Sequence, residues 1–318
     1  MIKKLLLLIV FFLVFPAISY CGELNGPLTT TVNYPPQMMF LSFSPDTVSV
    51  VEKGKTKYSL NVEYSNVFQR QKNSKNSIIC DLEMMNVTGI FTYGILENLQ
   101  WDIHLPIIFV GGGFLDGPID SFHETLNLSR GERRHTSKNK VCYRLKVDGK
   151  DVFDVHKTSV LQGNISSFIK WRMGENWALR GGIKLPTAAK SKGFGSKKVD
   201  IGLDLAFEHA ILPSVNMHTN LNYTYIGEPS FVHTKHYRCG GSFGINALLT
   251  KNTHIITQYS FLQSPFRTGL RKLDKVSHQI TGGIRYKKEG RCIDIFVTED
   301  IASYSTTPDI TIGTTLIF

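Results

Sequence analysis

A strand that is apolar on one face and polar on the other closes this chain. Over Asp309 to Phe318 (DITIGTTLIF), Ile310, Ile312, Thr314, Leu316 and Phe318 share one phase of a two-residue period, while Asp309, Thr311, Gly313 and Thr315 share the other. Successive side chains of a strand point to opposite faces, so this segment separates an apolar medium from a polar one. The same alternation begins at Tyr58. Tyr58, Leu60, Val62 and Tyr64 oppose Ser59, Asn61, Glu63 and Ser65; Ile78, Cys80, Leu82 and Met84 oppose Asp81 and Glu83; Leu99, Trp101, Ile103 and Leu105 oppose Gln100, Asp102 and His104. Further strands follow over 164–172, 177–185, 199–208 and 215–225, with weaker ones near 237–249, 253–263, 276–288 and 291–299. With the last strand the total is twelve, an even number, as an antiparallel barrel with both termini on one side requires.

The connections alternate in length. Gly94–Glu97, Gly174–Asn176, Ile211–Pro213, Thr250–Asn252 and Lys288–Gly290 are short, whereas 71–76, 111–160, 187–198, 228–236, 264–275 and 300–308 are mostly longer. Short periplasmic turns and longer outer loops give this pattern, which a soluble sandwich has no reason to produce. Trp101, Trp171 and Trp177 all fall on the apolar phase near short turns, where an interfacial girdle belongs. The mean hydropathy of -0.07 is too low for a helical membrane protein and ordinary for a barrel in which alternate residues meet lipid. The expected fold is all-β, a transmembrane antiparallel β-barrel of about 12 strands over residues 58–318, with a long outer loop at 111–160.

Ahead of the barrel, Lys3 and Lys4 precede an apolar run from Leu5 to Val14 and then Pro16, Ala17 and Ser19. That order makes a signal peptide over residues 1–21, its apolar run too short to span a bilayer as a helix. Residues 22–57 contain Pro27, Pro35, Pro36 and Pro45, which argues against a barrel strand. They are either a periplasmic lead-in that folds back as a partial plug or a loose tail. Cys80, Cys142, Cys239 and Cys292 remain after export; Cys142 could approach Cys80 or Cys239, and four separate thiols are equally plausible.

The terminal Phe318, with Leu316 two positions earlier, is similar to the closing-strand signal of bacterial outer-membrane barrels, which the barrel-assembly machinery reads. Gly26-Pro27-Leu28, Gly112-Gly113-Phe114-Leu115-Asp116-Gly117 with Phe122-His123, and Thr298-Glu299-Asp300-Ile301 with Pro308-Asp309-Ile310 resemble an uncharacterised family of exported bacterial proteins, domain-of-unknown-function 3187. The resemblance implies architecture and a location in the outer membrane of a Gram-negative bacterium, and no activity.

The formal charge of +10 becomes +8 once Lys3 and Lys4 are removed with the signal peptide. The excess lies in the outer loops, among them Arg130, Arg133, Arg134, Lys138, Lys190, Lys192, Lys197 and Lys198, where it would meet outer-membrane lipid and anionic lipopolysaccharide. Nothing in the pattern reads nucleic acid, and a monomer is expected. Twelve strands enclose more than side chains fill in a barrel of about eight and less than an open porin of about 16 to 18, so a narrow or partly plugged pore is expected. Its candidate binding residues are lumenal: Lys170, Arg172, Arg180 and Lys184 on a basic wall, Asp200 and Asp204 opposite them, and Asp81, Glu83 and Asp102 on an acidic face. Antiparallel pairing around the 187–198 loop brings Lys184 to Asp200 and Arg180 to Asp204. These charges orient a passing solute or neutralise one another as cross-strand pairs. His123, His135 and His156 beside Asp116 and Asp120, and Asp300 with Asp309, lack metal or catalytic spacing; no catalytic residue, metal or cofactor is assigned. The expected function is a narrow channel or transporter for small solutes with a charged lumen. An enzyme acting on lipid or lipopolysaccharide, or a structural or adhesive barrel, is the alternative.

Overall fold

The computed structural model describes residues 26–118, 121, 139–302 and 306–318. The expected signal peptide, and the basic residues Arg130, Arg133, Arg134 and Lys138 with His123 and His135, lie outside them. The described residues form fifteen strands: β1 (Thr56–Lys72), β2 (Ser77–Leu96), β3 (Leu99–Gly111), β4 (Cys142–Val147), β5 (Lys150–Val155), β6 (Ser159–Gln162), β7 (Ser166–Arg172), β8 (Trp177–Lys184), β9 (Asp200–Leu212), β10 (Val215–Tyr225), β11 (Tyr237–Thr250), β12 (Thr253–Leu262), β13 (Ser277–Lys288), β14 (Arg291–Asp300) and β15 (Ile310–Ile317). Twelve of them, β1–β3 and β7–β15, pair antiparallel in a closed ring.

Closure comes from β1 and β15, which pair from Ser59 with Ile317 to Asn66 with Ile310. In hydrocarbon an unpaired strand edge would leave N–H and C=O groups without partners, so the first and last strands must meet. The alternation sorts the faces as lipid demands. Ile312, Ile295, Leu203 and Leu221 are exposed to the outside, whereas Thr311, Thr315, Ser65 and Asn61 are buried within. Inside, hydroxyls and amides bond across strands: Ser65 Oγ lies 2.7 Å from Thr311 Oγ1 and Thr315 Oγ1 donates to Asn61 Oδ1 at 2.9 Å. Trp171 and Trp177 stand on the outer face at the short-turn end, and the Trp177 and Phe207 rings lie 4.5 Å apart across β8 and β9.

One wall strand is broken. β6 and β7 both pair with β3 but in registers that differ by one residue, with Gly163–Ile165 between them opposite Leu105 and Pro106. Pro106 has no N–H to give to the ladder; its carbonyl accepts from Gly163 N at 2.9 Å. A Cβ on Gly163 would stand 2.7 Å from Pro106 Cγ, so the bulge needs a glycine there.

The 111–160 stretch is more than a loop. β4 and β5 form a hairpin that continues the sheet along the upper half of β2. They are joined by Asp148-Gly149, both at positive φ (49° and 74°), the conformation that a two-residue hairpin turn requires. Above the wall the long-loop end carries a core like that of a soluble domain. Ile78, Cys80, Leu82 and Met84 of β2 are buried there with Tyr143, Leu145, Phe153, Phe194, Phe266, Leu270 and Leu273 from the loops. The Tyr143 hydroxyl donates to Gly193 O at 2.9 Å, and its ring lies 4.5 Å from that of Phe153.

Candidate functional site: a lumen filled by residues 26–55

The segment ahead of β1 lies inside the barrel. It starts at the short-turn end, where Gly26 and Pro27 carbonyls accept from Arg285 on β13 at 2.9 and 2.8 Å. It rises past Gln258 on β12, which brackets Leu28 with N and O contacts of 3.0 and 3.2 Å, and past Glu63 on β1, which accepts from Thr31 N at 3.0 Å and from the Thr31 hydroxyl. At the long-loop end it turns through one 3-10 turn, Gln37–Met39, following Pro35 and Pro36. Tyr34, Met39 and Phe40 are buried in the apolar core there, with the Phe40 and Phe266 rings 5.5 Å apart, edge to face. The chain then descends past Asp200, Arg180 and Lys170 to Gln100 on β3, which accepts from Val51 N at 2.9 Å. Prolines deny this stretch a ladder of its own, and the polar wall supplies the partners its backbone would otherwise lack.

Wall cations hold the descending limb. Lys170 Nζ lies 3.0 Å from Asp46 Oδ2 and donates to Thr47 O at 3.0 Å. Arg180 lies 3.1 Å from the same Asp46 oxygen and 3.0 Å from Asp204, and donates to Ser44 O at 2.6 Å. Its guanidinium also stacks 5.2 Å from the Phe43 and Phe168 rings. Lys184 pairs with Asp200 at 2.8 Å and donates to Met39 O at 2.8 Å. Arg238, fully buried, donates to Gln37 Oε1 at 2.9 Å and to Phe40 O and Leu41 O at 3.2 and 2.5 Å. Arg285 closes the set with a two-pronged pair to Asp294, both contacts 2.8 Å. Small cavities remain beside the segment, among them one of about 70 Å³ between Asp102, His104 and Arg180 and one of about 110 Å³ between Met38, Pro106 and Phe168.

Seven of the nine sequence-expected lumenal residues face inward and are buried or stand at the inner rim. Lys170, Arg180, Lys184, Asp102, Asp200 and Asp204 are buried, and the pairs Lys184 with Asp200 and Arg180 with Asp204 sit in direct register. Arg172 is on the inward phase but exposed at the short-turn rim, 3.3 Å from Glu97 O. Asp81 and Glu83 require a correction: they point outward. β2 places Ile78, Cys80, Leu82 and Met84 inward, because at its upper end the apolar medium is the core capping the lumen, not lipid. Cys80 therefore faces inward while Cys142, opposite Asp81, faces out, and the four described cysteines are free thiols. Arg238, Arg285 and Asp294 were missed in strands of weak alternation; Arg238, Ser242 and Asn246, four residues apart and so on one face of the strand, were the available signal.

Glu83 nevertheless has a defined role on the outer wall. It accepts from Phe114 N at 3.0 Å, Leu115 N at 2.6 Å and the Tyr64 hydroxyl at 2.5 Å, while Asn66 bridges it to Asp116 with contacts of 3.3 and 3.1 Å. The Gly112–Gly117 run thus serves as a carboxylate clasp. Gly113 is at φ +64°, and a Cβ there would fall 1.9 Å from the Glu83 carboxyl carbon. Gly113→Ala is expected to open the clasp at a local cost of about 1–3 kcal/mol, read as faster proteolysis near residue 114 in a barrel that still migrates as folded on unheated gels. Unchanged proteolysis would show that the clasp does not hold the loop. Outside the membrane, the two hydrogen bonds from Arg144 (2.7 and 2.9 Å) hold the Asp151 carboxyl below its usual range, and His156 meets Asp154 at 2.7 Å on the exposed face of the β4–β5 hairpin.

No curated protein matches this chain. Among solved structures, an outer membrane channel of group COG4313 from Pseudomonas putida F1 is similar at 10% identity, over 87% of this chain and 99% of that one, with a TM-score of 0.55. The Pseudomonas putida toluene transporter TodX (10% identity, 92% and 98% covered, TM-score 0.41) and a Pseudomonas aeruginosa FadL homologue (9%, 90% and 91%, 0.38) are more distant. The first likeness is one of fold: a closed antiparallel barrel of the outer-membrane channel type. The family model described as "Protein of unknown function (DUF3187)" matches residues 5–318, and the chain belongs to that family.

Proposed function

We propose that this protein is a narrow channel or transporter for small solutes in the outer membrane of a Gram-negative bacterium, and that residues 26–55 keep it closed in the conformation described. The observation that carries this reading is how the lumen is filled. In its membrane-level half, polar and charged wall residues bond the backbone of one continuous inner segment, and apolar packing there is confined to small clusters such as Leu28 with Ile256 and Phe296. Such contacts exchange readily for water, so removal of the segment leaves a wettable passage with a charged wall. The short turns then lie in the periplasm, and the basic outer loops meet lipopolysaccharide. The strand ending at Phe318 is the one offered to the assembly machinery, and the barrel acts as a monomer.

In planar bilayers the full-length protein is expected to open rarely and in small steps. A variant lacking residues 26–50 is expected to raise conductance on the order of tenfold, because twelve strands enclose more than side chains can fill. Silence from both forms, with liposomes that take up no small solute, would refute the channel.

A further inference from the structure

Most of the inner segment is held by neutral groups or by cations that already own a carboxylate. Gln258, Asn220 and Asn246 bond its backbone with amides, while Lys184, Arg180 and Arg285 pair with Asp200, Asp204 and Asp294 on the wall. Arg238 differs. It is fully buried, among the described residues no carboxylate lies within ion-pair distance of it, its Nε–H has no partner, and its other donors are taken by Gln37 and two carbonyls of the segment. Asp200, which shares Leu41 with it as a partner, is already engaged by Lys184 and by the Leu41 and Gly227 amides. A guanidinium is donor-only and costly to bury without a counter-ion, and an amide would serve two carbonyls as well.

We infer that Arg238 is the anchoring site for the solute, and that the solute carries a carboxylate whose oxygens take the places held here by the Phe40 and Leu41 carbonyls. This rests on the channel reading and narrows its substrate class. Once the segment withdraws, Arg238 is left at the long-loop end of β11 as a fork of donors facing the lumen with no wall carboxylate, the geometry that binds a carboxylate through two parallel hydrogen bonds. Lys170 loses Asp46 in the same step and adds a second unpaired cation on the path. Glu63, Asp102 and Glu208 place carboxyl groups elsewhere on the inner wall, so a small carboxylate is drawn to the Arg238 side of the lumen and not to the whole of it.

The test uses liposomes holding the variant without residues 26–50 and compares uptake of lactate with that of lactamide, equal in size and differing in charge. Lactate is expected to enter roughly fivefold faster, and Arg238→Gln to lower that ratio to about two, the remainder being the attraction of Lys170. Equal uptake before the substitution, or a ratio that survives it undiminished, overturns the inference and leaves the channel standing. Uptake of neither solute refutes the channel itself and the inference with it. If the shortened barrel does not fold, as judged by its unheated gel mobility, full-length Asp46→Asn protein carries the same comparison, and the same outcomes support or overturn the inference.

Discussion

Asp46→Ala is expected to release residues 26–55 from the lumen while the barrel stays closed. One carboxylate oxygen serves two buried cations, Lys170 at 3.0 Å and Arg180 at 3.1 Å, and Lys170 is 1% exposed with Thr47 O as its other partner. Removing one member of a buried pair strands the other charge and costs about 3–5 kcal/mol, or roughly a hundredfold to several thousandfold in the docking equilibrium. Arg180 keeps Asp204, whereas among the described residues Lys170 keeps no carboxylate within ion-pair distance, so the loss falls on the segment and not on the wall. Limited proteolysis of the folded protein reads it directly: cleavage between residues 26 and 55 accelerates while barrel fragments do not appear. Asp46→Asn, which retains an acceptor oxygen but no charge, is expected to fall between the two. Protection equal to that of the unaltered protein would mean that Asp46 contributes little to docking.

Arg285→Met is expected to have a comparably large effect on the wall itself. Arg285 and Asp294 are paired across β13 and β14 by two contacts of 2.8 Å, and both are buried. Losing the guanidinium leaves a carboxylate with no cation and frees the Gly26 and Pro27 carbonyls, again about 3–5 kcal/mol. Adding Asp294→Leu removes the stranded charge, so the double variant is expected to regain most of the wall's stability without restoring the anchor at Gly26. Urea unfolding in detergent micelles separates the terms. The single variant unfolds at lower urea, the double variant near the unaltered protein, and both show faster cleavage near residue 26. A double variant as unstable as the single one would show that the pair's value lies in its hydrogen bonds to the segment.

How much of this was readable depended on whether one medium or two acted on a strand. β15 meets lipid on one face and the lumen on the other, and every residue from Ile310 to Leu316 falls where alternation put it. Lys184 with Asp200 and Arg180 with Asp204 were readable for the same reason, since the 187–198 loop sets the register of β8 and β9. β2 failed the rule at its upper end. Its twenty residues run past the membrane into an apolar core inside the barrel, so Leu82 turned inward and Glu83 outward, the reverse of what lipid alone dictates. The β4–β5 hairpin was missed although Asp148-Gly149 is a strong turn signal; its strands are six residues each and lean on loops far away in sequence. Residues 26–55 left the choice of plug or tail open because their partners are scattered over many strands, from Glu63 on β1 to Gln258 and Arg238 about 200 or more positions away, where no local pattern reaches.

Cross-linking tests most directly whether residues 26–55 occupy the lumen. Asn33 on the rising limb and Asn86 on the inward face of β2 are joined by a 3.1 Å hydrogen bond. With the native cysteines replaced by serine, Asn33→Cys and Asn86→Cys are expected to be joined efficiently by a short bis-thiol reagent in intact membranes, and either cysteine alone is not. No cross-link from a barrel that migrates as folded would put the segment outside the lumen and contradict the proposal that it keeps a channel closed.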